Sequence, residues 1–136
     1  MGLTLVGVVI GFVLAVGYDL IVSTIRDCRT KKRLRIYIDD RLQFNLDRMN
    51  QMVGQLKNNN VPTYLLDASS INNVLSQDHS LFDKQKQKDI DWVRFQFEHI
   101  NHKLTLLPHY SNLYADILKH VEKEIKAAKR LLGQGT

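Results

Sequence analysis

Residues Leu3 to Tyr18 (LTLVGVVIGFVLAVGY) carry no charge, and this run constrains the fold more than any other feature of the chain. As a helix it spans roughly 24 Å. Asp19 interrupts it, and Leu20, Ile21, Val22 and Ile25 extend it. From Leu3 to Ile25 the helix measures roughly 34 Å, enough for a hydrocarbon core of about 30 Å. No Lys or Arg precedes the run, so it lacks the positive n-region of a cleaved signal peptide. Val6 stands where N-myristoylation requires Ser or Thr. The expectation is a single-pass signal-anchor helix over residues 1–25.

Six basic residues, Arg26, Arg29, Lys31, Lys32, Arg33 and Arg35, follow the run against one acid, Asp27. The positive-inside rule then predicts a membrane protein whose domain of residues 36–136 is cytoplasmic. The basic juxtamembrane segment, residues 26–35, suits a bilayer with anionic headgroups and is the only domain-boundary candidate. Cys28 is the one cysteine, which excludes an internal disulfide framework and a Cys-based zinc site. An inert thiol in a reducing compartment is expected there.

Within the anchor, Gly7, Gly11 and Ala15 are four apart, and the same step reaches Asp19. Small residues at this spacing let helix backbones approach closely in lipid. These four residues are the candidate membrane-association face. An acid at that depth is costly unless it meets a partner, a cavity or the headgroups.

Beyond the basic segment the apolar residues recur at helical spacing. Leu34, Ile38, Leu42, Leu46, Met49, Val53 and Leu56 form one stripe, ended by Asn58-Asn59-Asn60 and Pro62. Residues 67–77 predict a short helix, with Asp67 or Ser69 as cap and Ile71, Val74 and Leu75 as its apolar face. Ile90, Val93, Phe97, Ile100, Leu104 and Leu107 form the cleanest stripe, stopped by Pro108. Trp92 and Phe95 flank it and are expected to widen the core, the alternative being an oligomer contact. Tyr114, Ile117, Val121, Ile125, Ala128 and Leu132 line a last helix, with Ser111 as N-cap and Gly133 as stop. The fold class is all-α: an N-terminal transmembrane helix and a small antiparallel helical bundle of three long helices and one short.

No phosphate-binding loop, dinucleotide turn, nucleophile elbow or HExxH motif occurs. His99 and His102 share a helix sector, but two histidines without a matched carboxylate are too few for a metal site. No catalytic residue, metal or cofactor is assigned, and the chain is not expected to be an enzyme. The last helix concentrates positive charge, with Lys119, Lys123, Lys126, Lys129 and Arg130 against Glu122 and Glu124. Glu122 and Lys126 have the spacing of a stabilising ion pair. Lys119, Lys123, Lys126 and Arg130 are the candidate ligand-binding residues for an anion such as a nucleotide.

The function expected is that of a membrane-anchored helical protein whose cytoplasmic domain forms a homo-oligomer or binds a protein partner. The alternative is a ligand-gated effector: its cytoplasmic domain binds a nucleotide or cyclic oligonucleotide and the anchor perturbs the membrane. A short anchor, a basic junction and a small soluble domain make a layout similar to that of membrane effectors in prokaryotic antiviral defence. The similarity is one of layout.

Overall fold

The computed structural model of the chain describes residues 2–134. Met1, Gly135 and Thr136, the outermost residues of the expected anchor and bundle, lie outside the described residues. The fold is all-helical: α1 (Gly2–Lys57), α2 (Ser69–Gln77), α3 (Lys84–Leu106) and α4 (Leu113–Leu131). No proline falls between Leu3 and Lys57, so nothing removes a backbone donor from α1. The chain divides into two compact units, Met1–Leu34 and Arg35–Thr136.

The first unit is helix alone. Leu5, Val8, Phe12 and Leu14 are each more than half exposed, and no part of the most apolar stretch is buried. Among the described residues, α1 is the one helix long and apolar enough to cross a membrane.

The second unit is a helical bundle whose core repeats the sequence stripes. Ile38, Leu42, Leu46 and Met49 of α1 are 0–2% exposed, as are Ile90, Phe97 and Ile100 of α3 and Ile117 and Val121 of α4. The stripes shift in α1 and α4. Met52, at 2% exposure, occupies the place expected of Val53, which is half-buried. Tyr114, Ile125 and Leu132 are half-buried at the margin of the α4 face, and Glu124 lies inside it.

The helix ends follow local chemistry. Asn59 adopts a positive φ of 54°, which Asn tolerates better than most residues. Asn60 N–H then reaches Gln55 C=O at 2.9 Å and Asn59 N–H reaches Leu56 C=O at 3.1 Å. This paired closure satisfies carbonyls that the end of a helix leaves open. Gly133, at φ 71°, closes α4 in the same way. There Gln134 N–H reaches Lys129 C=O at 2.8 Å and Gly133 N–H reaches Arg130 C=O at 3.1 Å. Asp83 caps α3 by accepting the Lys86 N–H at 2.8 Å. Asp67 performs the equivalent task for α2, accepting the Ser70 N–H at 3.1 Å. Ser111 does not cap α4. Asn112 precedes the helix instead, in helical conformation and without a side-chain cap. In the turn that leads into α4, Tyr110 N–H bonds Leu106 C=O at 3.1 Å and Leu113 N–H bonds Tyr110 C=O at 3.1 Å.

The non-helical link between α1 and α2 is held by two asparagines. Asn45 on α1 donates to Asp67 C=O at 2.8 Å and accepts Asp67 N–H at 2.6 Å. Asn101 on α3 treats Leu66 identically, at 2.8 Å in both directions. Two neighbouring peptide groups are thus satisfied by two carboxamides, as a strand would be by its neighbours. Replacing fully buried Asn45 by Leu strips both bonds from Asp67. Unsatisfied groups cost about 1–3 kcal/mol each, so a loss of about 2–4 kcal/mol is expected. Thermal denaturation measures it, with faster proteolysis between Asn58 and Ala68 as the accompanying sign. An unchanged melting temperature would remove the clamp from the list of stabilising features.

Candidate anion-binding face

Helix α3 and helix α4 run antiparallel. Lys103 meets Asp116 near the turn that joins them, His99 meets His120 further along, and Trp92 shares a depression with Ala127 and Arg130. A helix advances 100° per residue, which puts Lys119, Lys123, Lys126 and Arg130 within about 60° of one another. The same count puts them across the helix from Ile117, Val121 and Ala128. All four cations are exposed. None takes part in an ion pair: among the described residues those pairs are Arg41–Asp67, Arg94–Asp91, Arg94–Glu98 and Lys103–Asp116. The expected Glu122–Lys126 pair is therefore not formed. Lys119 with Lys123, and Lys126 with Arg130, are like charges four apart, each pair costing about 0.2–0.5 kcal/mol. The stripe is a face that a bound anion would relieve.

Beside it, α3 presents Lys88, Trp92, Phe95, His99 and Lys103 at steps of 4, 3, 4 and 4. Trp92 is 61% exposed and Phe95 48% exposed, so neither widens the core. The buried sector of α3, through Val93, Phe97, Ile100 and Leu104, already meets the other helices. Trp92 and Phe95 lie about 100° or more round from Val93 and find no second layer to enter. Their rings stack on each other instead, with centroids 5.9 Å apart and planes inclined 29°. The row continues from Phe95 to His99 at 6.4 Å and crosses to His120 of α4 at 5.4 Å.

His120 is fixed on both nitrogens. The Lys103 ammonium donates to Nδ1 at 3.1 Å, so Nε2 carries the hydrogen and donates it to Gln96 Oε1 at 2.8 Å. Lys103 also pairs with Asp116 at 3.2 Å. Burial lowers the pKa of His120, and the positive charge of Lys103 and of His99 lowers it further against the pull of Asp116. Gln96, His99, His120 and Lys103 line an open notch of about 300 Å³, with Lys119 and Lys123 on its border. At the other end of the pair, Arg130 and Trp92 border a depression of about 280 Å³ over Val93 and Ala127. Lys126 stands on the stripe between the two.

The structure brings the predicted cations near Trp92 and Phe95, which were expected in the core, and near Gln96, Lys103 and His120, which no sequence expectation placed at the site. The signal for Trp92, Phe95 and Lys103 is their common spacing with Lys88 and His99; Gln96, buried, and His120, on α4, lie off that row. The candidate association residues Gly7, Gly11, Ala15 and Asp19 lie on α1 and are exposed, Gly17 being half-buried off that stripe. A Cβ at Gly7 or Gly11 would meet nothing within 4 Å. Cys28 is a free, exposed thiol. Among the described residues no three His, Cys, Asp or Glu side chains gather as metal ligands would.

Glu124 is the one acid inside the core stripe of α4, 2% exposed, and its Oε2 has no hydrogen-bond partner. Burial raises its pKa, against the lowering effect of Lys123 and Arg130. A folded-state value above the unfolded one means the native state holds the proton more firmly. Stability is then greatest below the unfolded value, about pH 4, and falls as pH rises through the folded one. Glu124→Gln is expected to be more stable than the parent at pH 7 and level with it near pH 4. Melting curves at the two pH values check this, and a variant less stable at pH 7 would contradict it.

The class these observations define is a small all-helical protein with one helix able to cross a membrane and an aromatic–cationic face on α3 and α4. Comparison with protein-family models, with curated proteins and with solved structures returns no match to this chain.

Proposed function

We propose that the chain is a single-pass membrane-anchored protein whose antiparallel helical bundle lies in the cytoplasm and assembles or binds a partner there. It is proposed to act by binding and assembly, without catalysing a reaction. The observation that carries this reading is the exposed apolar surface of α1. The large hydrophobic side chains from Leu5 to Ile25 are 41–69% exposed, half-buried Val22 excepted. Soluble monomers rarely leave such a contiguous surface uncovered, and lipid is the solvent it suits. The basic residues 26–35 fit anionic headgroups on the cytoplasmic leaflet. Gly7, Gly11 and Ala15 offer a path for close helix approach between copies, with Asp19 facing the contact. Cysteine-free cross-linking in membranes tests the assembly. Gly11→Ile is expected to reduce the cross-linked oligomer several-fold, because a branched side chain keeps backbones apart. An oligomer unchanged by Gly11→Ile would return Asp19 to a residue that reaches headgroups.

A second reading is favoured by the unpaired cationic stripe of α4. In it the bundle receives an anionic signal such as a nucleotide or oligonucleotide, and the anchors perturb the membrane in response, as in an antiviral effector. Bilayer recording separates the two readings. Conductance that depends on the ligand and changes in Asp19→Asn supports the second, and a silent bilayer supports the scaffold.

A further inference from the structure

We propose that the α3–α4 face is a binding track for a short single-stranded oligonucleotide, its phosphates along Lys119, Lys123, Lys126 and Arg130 and its bases on Phe95 and Trp92. The inference rests on the second reading above and names its ligand class. Two independent observations converge on it. The first is the unpaired cationic stripe, about 16 Å long at 1.5 Å per residue over Lys119–Arg130. A chain of phosphodiesters needs several spaced cations, whereas a single small anion needs one cluster. The second is the aromatic row beside it. Trp92 and Phe95 are exposed and stacked 5.9 Å apart, a ledge that costs water contact and contributes nothing to the core. Bases stack on such rings without regard to sequence. Because the helices are antiparallel, the cations and rings run side by side: Lys119 and Lys123 beside the His99–His120 end, Arg130 beside Trp92.

Asp91 and Glu98 are the acids nearest the row on α3, and both are already held by Arg94, at 3.0 Å each. Asp116 is held by Lys103. Carboxylates between the two rows are thus neutralised, apart from Asp89 at the Trp92 end; Glu122, exposed and without an ion pair among the described residues, borders the stripe on the side away from α3. The notch adds a dependence on pH. His120 is faced by Lys103, His99 and Asp116 and by Lys123 on its own helix. Protonating it displaces the Lys103 donor from Nδ1 and adds a charge to a positive wall, which a phosphate offsets. Because these neighbours and burial hold His120 below the ordinary histidine value of about 6.5, oligonucleotide affinity rises as the pH falls from 7 to 5.

Trp92 is the only tryptophan in the chain, so its emission reports the ledge directly. The full chain in non-ionic detergent is titrated at low salt with tetrathymidylate lacking terminal phosphates, whose charge is constant between pH 5 and 7. The expected result is saturable quenching of Trp92, tighter at pH 5 than at pH 7 and weaker as salt rises. Phe95→Leu should weaken binding about 5- to 100-fold through lost stacking. Lys123→Glu with Lys126→Glu should weaken it at least tenfold, circular dichroism confirming that these surface variants remain helical. Labelled tetrathymidylate that binds by anisotropy with no change in Trp92 emission, and equally to Phe95→Leu, would overturn the base ledge and leave the anionic-signal reading standing. Equal competition by tripolyphosphate would overturn it in the same way. No binding of either probe at low salt would overturn both.

Discussion

Phe97→Ala is expected to destabilise the second unit by about 3–5 kcal/mol, and Trp92→Ala by less than about 1 kcal/mol. The two aromatics are five residues apart on one helix and similar in bulk, yet Phe97 is 0% exposed and Trp92 is 61% exposed. Truncating Phe97 removes the transfer energy of a fully buried ring and leaves a cavity in a densely packed core. Truncating Trp92 removes only its contact with Phe95 and part of a shallow depression. For a unit of this size each kcal/mol moves the melting temperature by about 4–8 °C. The first variant should therefore melt at least about 12 °C lower and the second within a few degrees of the parent. Comparable losses at the two sites would mean that Trp92 is covered in the working protein, by a second copy or a partner.

That contrast marks the boundary of what the sequence made legible. The helices and their buried faces were readable because an apolar stripe at helical spacing has one physical use. Ile90, Val93, Phe97, Ile100 and Leu104 satisfy it without ambiguity, and all are buried. Trp92 and Phe95 were not readable by that rule. Aromatic residues next to a stripe enter the core only if another layer waits to cover them, and a bundle of this size has none. The asparagine clamp was hidden for a different reason. Asn45 and Asn101 satisfy backbone groups 22 and 35 residues away, and no local pattern announces a partner that is a peptide bond. Met52 and Val53 lie on opposite flanks of the stripe, at steps of three and four from Met49, and the flexible thioether fills the gap on the buried side. Glu124 breaks the stripe of α4 outright. Its buried carboxyl is a local loss that the apolar neighbours Val121 and Ala128 offset, and only the packed structure reveals it.

The candidate site was half legible. Four cations on one face of α4 can be counted from the sequence. Their lack of partners cannot, since Glu122 has the right spacing for Lys126 and leaves it alone. The His99–His120 contact depends on the register of α3 against α4, and the turn through Pro108 sets that register.

Arginines placed in the anchor are expected to have the largest effect of all. Between Leu3 and Ile25 the chain carries fourteen Leu, Ile, Val and Phe residues. At about −0.3 to −0.6 kcal/mol each near the centre of a span, they favour insertion by roughly 4–8 kcal/mol, from which Asp19 subtracts. Val9→Arg together with Val13→Arg adds about 5–7 kcal/mol of cost and removes two favourable side chains. The balance then turns against insertion, and the variant is expected in the soluble or degraded fraction, against the carbonate-resistant membrane pellet expected of the parent. Val9→Leu with Val13→Leu, the apolar control, should stay in the pellet. Orientation is measured on the same chain. Cys28, exposed and the only thiol, sits just past the span, where the positive-inside rule predicts cytoplasmic access. A membrane-impermeant maleimide added outside intact cells should leave it unlabelled, and added after permeabilisation should label it. Labelling in intact cells would reverse the topology. Retention of the double-arginine protein in the pellet would mean that the apolar face of α1 is covered by protein, and the anchor would then be an assembly helix.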